Sequence, residues 1–369
     1  MRIIFLPIEP LNDRYTEQWY RNFPLAFKEA GFEVLTIDGQ QLFDTVQSGA
    51  FLDIAATCIY KNSQMLQVAK MFQKGTVQPN DTFFIADIEF WGLEAIRLMS
   101  QLTKIPVRIS GFLHAASYTK EDAFAVAAPY QKYTEVGWIS ALDAVFVGSE
   151  YHKNAVIERR LLPLGASELG AKIHVTGNPI FLEEYKKFET KKTKTIVLTN
   201  RFDSEKRPNE TLALFADLKK KYPDWKFVVC TGRSVFRSNV ESIVEFARTL
   251  EAQGIIEIRY NQTKDQYHQL LSEASIMVSH SIEEHFGYAI VEALIYKCAP
   301  FLRHGLSHIE LINNDSRLLF KVGEEEAKIE ALMNTVNEGK TLDFPYEDLY
   351  MRYTESLTQI CNILKGLYD

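Results

Sequence analysis

The chain has 369 residues, of which 46% are hydrophobic and 24% are charged, and its formal net charge is −7. This length and composition predict a soluble globular protein with two domains, each able to bury its own core. The negative balance argues against a dedicated nucleic-acid-binding domain, although a local basic groove needs only a few lysines or arginines. No apolar run approaches the roughly 20 residues that span a bilayer, so no transmembrane segment is expected.

The N-terminal segment MRIIFLPIEP contains a short apolar run that Pro7 and Glu9 interrupt. A run of this length indicates a first buried strand rather than a signal peptide, whose apolar core is longer. The chain is therefore expected to be cytoplasmic. Its four cysteines are scattered and have no paired spacing, which argues against a disulfide framework or a zinc site.

Short apolar runs alternate with helical patterns in both halves of the chain. The runs predict strands at residues 2–7, 33–37, 82–86, 107–113, 144–148, 195–199, 226–231, 255–259 and 275–279. The helical patterns lie at residues 16–30, 93–102, 208–221, 239–252 and 264–272. Strands of four to six apolar residues that alternate with helices indicate parallel sheets covered on both faces.

The same plan repeats after residues 175–179, where Gly, Asn and Pro together favour a linker. The predicted fold class is α/β, with two Rossmann-like doubly wound domains that face each other across a cleft. The predicted domains are residues 1–177 and 178–345. A last helix is predicted within residues 346–369.

Two glutamates, Glu284 and Glu292, lie eight residues apart in the segment SIEEHFGYAIVEALIYKCAP. The segment follows a predicted strand and turns through Phe286 and Gly287 into an apolar helix. The free N–H groups of a first helical turn can bind a phosphate. A carboxylate on each side of it can accept hydrogen bonds from hydroxyl groups. A phosphate between two polyhydroxyl groups describes a nucleoside diphosphate sugar.

The segment resembles the E-x7-E signature of retaining glycosyltransferases with the GT-B fold, of the family-four type. The residues that carry the resemblance are Ser281, Glu284, Phe286, Gly287, Glu292, Ala293 and Leu294. The alternative is an ordinary surface helix with two glutamates at this spacing by chance. The preceding strand, the Phe-Gly pair and the downstream pattern occur in order, which favours the glycosyltransferase.

The resemblance implies a role for each residue of the segment. Glu292 would accept hydrogen bonds from the ribose, and Glu284 from hydroxyls of the transferred sugar near C3 and C4. Phe286 belongs to the turn, and the main-chain N–H groups of Gly287 and Tyr288 would hold the diphosphate. Glycine suits this position because a Cβ would obstruct the close approach of the ligand.

Further candidate residues follow other strands. Arg201 and Lys206 resemble the R-x4-K element of these enzymes, whose cations bind the diphosphate and stabilise charge on the leaving group. A charged surface loop is the alternative. Thr231 and Gly232 end a strand and could face the same nucleotide. His114 matches a histidine that faces the sugar from the first domain, or is a histidine satisfied by the backbone.

The pair Asp87 and Glu89 has D-x-D-like spacing, but it lies in the first domain, so an acceptor-side or strand-end role is preferred and no metal is predicted. The glycine-rich loop usual after the first strand is replaced by Pro7-Ile8-Glu9-Pro10-Leu11. The usual G-x-P after the E-A-L helix is replaced by Cys298-Ala299-Pro300. The resemblance covers residues 172–312 well and the first half thinly. It implies an acceptor-side domain at residues 1–177, a nucleotide-sugar-binding domain at 178–345, and a C-terminal helix at 346–369 that packs back on the N-terminal domain.

The sequence thus predicts a glycosyltransferase that moves a hexose from a nucleoside diphosphate sugar, by default UDP-glucose, to a hydroxyl acceptor. Two acceptors stay open, a free or lipid-linked saccharide and a hydroxymethylated DNA base flipped from the duplex. Aromatic residues of the first half that could stack on either are Trp19, Tyr20, Trp91, Tyr118, Tyr130, Tyr133 and Trp138. Basic residues that could form a DNA-binding rim are Arg14, Arg21, Lys120, Lys132, Lys153, Arg159 and Arg160.

Two rivals remain. A sugar-nucleotide 2-epimerase uses the same architecture without an acceptor, and a non-catalytic nucleotide-sugar-binding protein needs no intact site. The presence of Arg201, Lys206, Glu284 and Glu292 argues against a decayed site. Peripheral membrane contact and oligomeric state stay open.

Overall fold

The computed structural model describes residues 1–12, 14–45, 53–119, 123–230 and 236–368. The chain folds into two compact units. Unit 1 comprises Met1–Leu182 and Tyr353–Asp369, and unit 2 comprises Glu183–Arg352. The predicted boundaries after residues 177 and 345 lie a few residues before these divisions. The proposed linker at 175–179 thus belongs to unit 1.

The strands are short and nearly all buried. They are β1 (Arg2–Leu6), β2 (Glu33–Thr36), β3 (Thr82–Ile85), β4 (Arg108–Phe112), β5 (Ala144–Val147), β6 (Ile173–Val175), β7 (Thr193–Leu198), β8 (Lys226–Cys230), β9 (Glu257–Arg259), β10 (Ala274–Ser279), β11 (Ala299–Arg303) and β12 (Leu319–Phe320). Runs such as Phe83-Phe84-Ile85 and Val145-Phe146-Val147 are buried on both faces, as expected for strands of a covered parallel sheet.

Helices fill the connections between the strands. The α-helices are α1 (Thr16–Glu29), α2 (Ile54–Gln73), α3 (Leu93–Thr103), α4 (Ala128–Ala141), α5 (Glu150–Val156), α6 (Pro208–Lys221), α7 (Glu241–Ala252), α8 (Lys264–Glu273), α9 (Tyr288–Ile295), α10 (His308–Leu311), α11 (Glu325–Asn337), α12 (Tyr346–Thr354) and α13 (Ser356–Gly366). A π-helical turn at Ile157–Leu161 continues α5, and 3-10 turns lie at Ala123–Ala127, Leu162–Leu164, Ser167–Lys172, Leu182–Glu184 and Ser204–Lys206.

The sheet of unit 1 is parallel, with strand order β2-β1-β3-β4-β5-β6. The chain steps from β1 outward to β2 and then back across to β3, β4 and β5. Because parallel crossovers are right-handed, α1 lies on one face of the sheet and α2, α3 and α4 lie together on the other. Packing of α1 against α13, and of α3 against both α2 and α4, agrees with this arrangement.

The two faces of this sheet have different cores. Aromatic rings from β1, β3 and α1 pack on the α1 face, where Phe5, Phe23, Phe27 and Phe84 have ring centroids about 5–6 Å apart. Aliphatic residues dominate the other face, beneath α2, α3 and α4. Trp19 and Trp138 belong to these cores, and only 1% and 2% of their surfaces are exposed. Tyr118 is also buried. The prediction that these three side chains could stack on an acceptor is therefore wrong.

A buried ion pair joins α4 to the π-helical turn of unit 1. The Arg160 guanidinium donates to the Glu135 carboxylate and to Ser117 Oγ at 3.1 Å. The other Glu135 oxygen accepts from the main-chain N–H of Ser117 at 2.8 Å. The Arg160 guanidinium also lies 5.6 Å from the centroid of the Tyr118 ring. Arg160 is thus part of the interior, and its predicted place in a DNA-binding rim is wrong.

Unit 2 contains a second parallel sheet, with strand order β12-β11-β10-β7-β8-β9. The chain moves from β7 through β8 to β9, returns to β10 beside β7, and then moves outward in the opposite direction. Strand order therefore reverses between β7 and β10. The two doubly wound sheets that the alternating pattern predicts are confirmed.

The C-terminal segment differs from the single helix expected after residue 346. It forms α12 and α13, which are separated at Glu355. The last residues of α12 and all of α13 belong to unit 1. In α13, Ile360 and Leu364 are fully buried. No helix among the described residues combines the length and the apolar character that a membrane crossing requires.

The buried ion pair of unit 1 makes a prediction about stability. Replacing Arg160 with Met leaves the Glu135 carboxylate buried without its guanidinium, which should lower the free energy of unfolding by about 3–5 kcal/mol. The matched control is Lys194→Met, which breaks an exposed pair with Asp224 at 2.7 Å and should cost at most about 1 kcal/mol. Urea unfolding followed by circular dichroism measures both. Equal losses of unfolding free energy in the two variants would contradict the conclusion that the pair of Arg160 and Glu135 is buried.

Candidate functional site

The reversal of strand order in unit 2 marks a crevice at the C-terminal ends of β7 and β10. Ligands of doubly wound sheets bind at such a switch point, because the loops that follow the two strands diverge there. The segment after β7 runs from residue 199 to the 3-10 turn Ser204–Lys206, and the segment after β10 runs from residue 280 to the start of α9. The predicted residues Arg201, Lys206 and Glu284 all lie in these two segments.

Asn200 joins the two segments at the base of the crevice. Its Nδ2 donates to Ser279 Oγ at 2.7 Å and to Ser281 Oγ at 3.0 Å, and the two hydroxyl oxygens are 2.9 Å apart. Ser279 and Ser281 are fully buried. This network fixes the loop after β7 relative to the loop after β10. The sequence singled out Ser281 but gave no signal for Asn200 or Ser279.

Lys206 and Glu284 form an ion pair in the crevice. Lys206 Nζ lies 3.0 Å from Glu284 Oε2 and donates to the Glu283 carbonyl at 2.8 Å. The lysine side chain is 11% exposed and the glutamate side chain 21%. Burial raises the pKa of the Glu284 carboxyl, but the charge and hydrogen bond of Lys206 outweigh burial, so the pKa is lowered. Glu284 is therefore ionised at neutral pH.

Arg201 lies on the same loop with a more open side chain, which is 41% exposed. Its Nη2 donates to Glu205 Oε1 at 2.9 Å, and its Nη1 lies 3.5 Å from Asp203 Oδ2. Burial raises the pKa of the Glu205 carboxyl, while Arg201 and Lys206 act to lower it. Glu205 thus lies between the two cations that the sequence predicted to act together.

The turn into α9 has a backbone geometry that favours glycine. Gly287 precedes the helix with φ +97°, in the left-handed region that favours glycine. A Cβ at this position would meet Ile290 Cδ1 at 2.9 Å and Leu311 Cδ1 at 3.2 Å. Ser307 Oγ lies 3.0 Å from the Glu284 carbonyl and 3.1 Å from the Phe286 carbonyl, which fixes the loop before the helix.

Phe286 and Tyr288 flank the glycine. The Phe286 side chain is buried, and its ring lies edge-on to the Tyr288 ring with centroids 5.1 Å apart. These two rings pack against each other at the start of α9. Any contact of Phe286 with a ligand would therefore involve its main chain. Thr231 and Gly232, also predicted to bind the nucleotide, lie outside the described residues.

Glu292 lies one turn into α9, where Tyr267 of α8 donates its hydroxyl to Oε2 at 2.8 Å. Burial raises the pKa of the Glu292 carboxyl to about 7, and the Tyr267 hydrogen bond and the Lys264 charge only partly offset this. Glu292 and Glu284 thus differ in their electrostatics. The sequence gave no signal for Tyr267, because α8 and α9 meet only in the folded unit.

His114 lies in unit 1, just after β4. Its Nε2 is 2.8 Å from the Ala86 carbonyl and its Nδ1 is 3.0 Å from the Tyr15 hydroxyl. A carbonyl can only accept, so Nε2 carries the proton and Nδ1 accepts from Tyr15. Burial lowers the pKa of His114, so the ring is neutral. The chain itself thus satisfies both ring nitrogens. A role at the sugar stays a prediction.

Asp87 and Glu89 follow β3 in unit 1. Lys61 Nζ lies 2.7 Å from Asp87 Oδ2 and also donates to the Glu89 carbonyl. Gln131 Nε2 donates to Glu89 Oε1 at 3.3 Å. Within the part of the chain that the structure describes, no group of three or more His, Cys, Asp or Glu residues is arranged to hold a metal ion.

Comparison with known proteins agrees with the geometry of unit 2. Residues 182–346 match the family model described as "Glycosyl transferases group 1". This part of the chain, which contains Arg201, Lys206, Glu284 and Glu292, is therefore similar to group 1 glycosyl transferases. A curated GDP-Man:Man(3)GlcNAc(2)-PP-Dol alpha-1,2-mannosyltransferase of Dictyostelium discoideum is 31% identical over 108 residues. That match spans 27% of this chain and only 21% of the length of the relative.

Solved structures extend the similarity of fold to the whole chain. Sucrose-phosphate synthase from Thermosynechococcus elongatus is 13% identical with a TM-score of 0.70, over 100% of this chain and 99% of that one. The lipopolysaccharide outer core galactosyltransferase WaaB is 13% identical with a TM-score of 0.65, over 99% of both. The pneumococcal O-GlcNAc transferase GtfA, solved with UDP and GlcNAc, has 14% identity and a TM-score of 0.58, over 84% of this chain and 61% of GtfA. The predicted GT-B fold is confirmed.

Gly287 makes a prediction that separates backbone strain from ligand approach. Gly287→Ala and Gly254→Ala both place a Cβ on a left-handed residue, at φ +97° and +68°, and this backbone strain should cost each about 1–2 kcal/mol of stability. Gly287→Ala should cost more in total, because its Cβ also meets Ile290 Cδ1 at 2.9 Å. The space around Gly254 is open, so its variant should keep its affinity for a nucleotide sugar. Gly287→Ala should lose affinity as well. Calorimetric titration and urea unfolding measure the two effects, and equal affinities would contradict the close approach.

The raised pKa of Glu292 predicts pH-dependent binding. An ionised carboxylate accepts hydroxyl hydrogen bonds more strongly than a protonated one. Affinity for a UDP-sugar, whose diphosphate diester does not titrate near neutrality, should therefore fall as the pH falls through about 7. Glu292→Gln should abolish this dependence. Tyr267→Phe removes a hydrogen bond that lowers this pKa, so it should move the midpoint to higher pH.

Isothermal titration across neutral pH measures these midpoints, with Glu257→Gln as the control. Glu257 is an exposed residue of unit 2 that pairs with Arg259 at 2.7 Å. The Glu257→Gln variant should show the same dependence of affinity on pH as the wild type. A wild-type profile that is flat around neutrality would show that the ionisation of Glu292 does not govern binding.

Proposed function

We propose that the protein is a glycosyltransferase that moves a hexose from a nucleoside diphosphate sugar to a hydroxyl acceptor, with retention of configuration. The observation that carries the proposal is the ion pair of Lys206 and Glu284, which lies beside the left-handed turn at Gly287 in the crevice of unit 2. The group 1 glycosyltransferase match covers these residues.

The crevice has the charges that a nucleotide sugar requires. Lys206 and Arg201 supply two cations for the diphosphate, and the first turn of α9 adds main-chain N–H groups. Glu284 is held ionised by Lys206 and would accept hydrogen bonds from hydroxyls of the transferred sugar. Glu292 lies farther along α9 and would accept from the ribose. Both roles follow the order of the two glutamates along the E-x7-E pattern.

The reaction breaks the bond between the sugar C1 and the diphosphate oxygen and forms a bond between C1 and the acceptor oxygen. Negative charge develops on the departing oxygen. Fixed cations at Lys206 and Arg201 stabilise this charge more in the transition state than in the ground state. The acceptor proton passes to the departing phosphate on the same face of the sugar, so no protein base is needed.

UDP-glucose is the first donor to test. The structure of the O-GlcNAc transferase GtfA contains UDP, whereas the curated relative is named for GDP-Man. Both UDP- and GDP-sugars therefore belong in the assay. Thr231 and Gly232, which follow β8 in the sequence, stay candidates for binding the nucleotide.

A saccharide, free or lipid-linked, is the acceptor that we favour over a hydroxymethylated DNA base. At least three members of the basic rim have partners inside unit 1. Arg159 donates to the Tyr151 hydroxyl at 3.1 Å. Arg160 is buried against Glu135, and Arg21 pairs with Glu17 at 2.7 Å. Lys120 lies outside the described residues. The curated mannosyltransferase is named for a dolichol-linked saccharide and WaaB for lipopolysaccharide, which supports the first class.

Site variants test the proposal directly. Glu284→Gln removes a charged acceptor and leaves Lys206 without its carboxylate, and Lys206→Ala removes a cation from the leaving group. Each should reduce kcat/KM for sugar transfer by about 10²–10³. The matched controls are Glu257→Gln and Lys194→Ala, which change exposed ion pairs of the same unit and should transfer at the wild-type rate.

The assay measures donor hydrolysis and transfer for UDP-, GDP- and ADP-sugars, with a saccharide panel and with hydroxymethylated DNA. Transfer to DNA alone would replace the favoured acceptor. An epimeric nucleotide sugar formed without any acceptor would identify the 2-epimerase instead. Tight binding of a nucleotide sugar without turnover would indicate a non-catalytic binding protein, and full activity in Glu284→Gln would remove the site assignment.

A further inference from the structure

Three neighbouring helices of unit 1 present apolar side chains to solvent. On α2 these are Ile59 and Leu66, and on α3 they are Leu98 and Leu102. On α4 they are Tyr130 and Tyr133, and Val126 lies one turn before them. The exposed fractions include 56% for Leu66, 75% for Leu102 and 68% for Tyr130. We call this set of seven residues the apolar face.

The topology of the sheet places the helices of the apolar face side by side. Right-handed crossovers place α2, α3 and α4 on the same side of unit 1, and α3 contacts both of its neighbours. Within each segment the residues of the apolar face are spaced three, four or seven apart, so they share the side opposite the core. Ile54 at the start of α2 is exposed as well, but it lies five residues from Ile59 and does not share this side. The seven side chains therefore project from one layer of helices in one direction.

The described residues of α7 and α11 lack this feature. The outward side of α7 carries Glu241, Glu245 and Arg248, which are all exposed. The helix α11 carries charged residues at 325, 326, 328 and 330. Single exposed apolar residues are ordinary in soluble proteins, whereas an aligned set across three helices indicates an interaction surface.

Among the described residues on α2, α3 and α4 and at their ends, basic side chains outnumber acidic ones, although the whole chain is acidic and Asp53 precedes α2. Lys132 lies on α4, Lys70 lies in the last turn of α2, and Lys74 and Lys104 follow the ends of α2 and α3. The helix α2 contains no Asp or Glu. The acidic residues of the other two helices are Glu94 and Glu135, and Glu135 is buried against Arg160.

Apolar side chains with tyrosines and lysines around them match the interface of an anionic bilayer. Leucine and isoleucine insert among acyl chains, tyrosine prefers the headgroup level, and lysine extends its amine to lipid phosphates. Lys132 Nζ already lies 5.0 Å from the centroid of the Tyr133 ring, so an aromatic ring and an amine act at one point. We propose that the apolar face docks unit 1 on a membrane surface rich in anionic lipids.

A second copy of the chain fits this surface less well. A symmetric dimer through the apolar face would bring the same lysines of two copies together, with fewer acidic residues among the described ones to offset them. Like charges in a shared interface cost free energy. An anionic lipid surface instead attracts each lysine, and the attraction falls as salt screens it.

Vesicle co-sedimentation of the full-length chain tests the proposal. The chain should bind vesicles that contain phosphatidylglycerol, bind pure phosphatidylcholine vesicles at least tenfold more weakly, and be released by high salt. The double variant Leu98→Glu/Leu102→Glu should reduce binding at least tenfold, because it replaces two inserting side chains with charges that anionic lipids repel. Lys104→Gln and Lys132→Gln should each weaken binding about fivefold.

The matched control is Val322→Glu, which changes a side chain of unit 2 that is 69% exposed, and it should bind vesicles like the wild type. All variants should keep their circular dichroism spectra, and the variants of the apolar face should keep their affinity for nucleotide sugars. Equal binding of wild type and Leu98→Glu/Leu102→Glu, or no binding to anionic vesicles, would overturn the proposal. A wild-type dimer that this double variant dissociates would do so too, because a second copy would then cover the face.

Discussion

The ion pair between Lys206 and Glu284 is the interaction on which the rest of the site depends. A lysine that is only 11% exposed needs a negative partner, because a buried charge without one is costly. The crevice supplies Glu284 and the Glu283 carbonyl before any ligand arrives. An anion that docks there meets a cation already fixed in position. The reorganisation that a flexible surface lysine would need has been completed by folding, which is the basis of electrostatic preorganisation.

Other features of unit 2 maintain this pair. Ser307 fixes the carbonyls of Glu284 and Phe286, Asn200 links the two loops, and Gly287 allows the chain to turn sharply toward α9. Glu205 holds Arg201 near Lys206. The carboxyl pKa values of three glutamates are thus shifted in three different ways. The pKa of Glu284 is lowered by its lysine, that of Glu205 is raised between two cations, and that of Glu292 is raised to about 7. The nearest cation, rather than burial alone, separates Glu284 from Glu292.

Local patterns in the sequence predicted a large part of this arrangement. The buried strands and the glycine turn depend on adjacent residues, so the order of elements and the position of Gly287 could be predicted. The sequence could place Lys206 and Glu284 in the same site, but it could not predict that they form an ion pair, because they lie 78 positions apart in the chain. Tyr267 could not be anticipated, because its contact with Glu292 depends on how α8 packs on α9. The predictions that Arg160, Trp19 and Trp138 line a ligand surface were wrong, because these residue types occur both on ligand surfaces and in cores.

Two of the helices that the periodicity did not predict, α2 and α4, contribute to the apolar face. A helical pattern is recognised by contrast between an apolar side and a polar side. In α2, Ile59 and Leu66 face outward while Tyr60 and Val68 face the core, so the contrast is weak. In α4, Tyr130 and Tyr133 face outward in the same way. A helix with little contrast is either buried on all sides or covered by something outside the chain. Both helices are exposed on one side. The weak contrast between their two sides therefore supports the proposal that their outer side contacts an apolar partner.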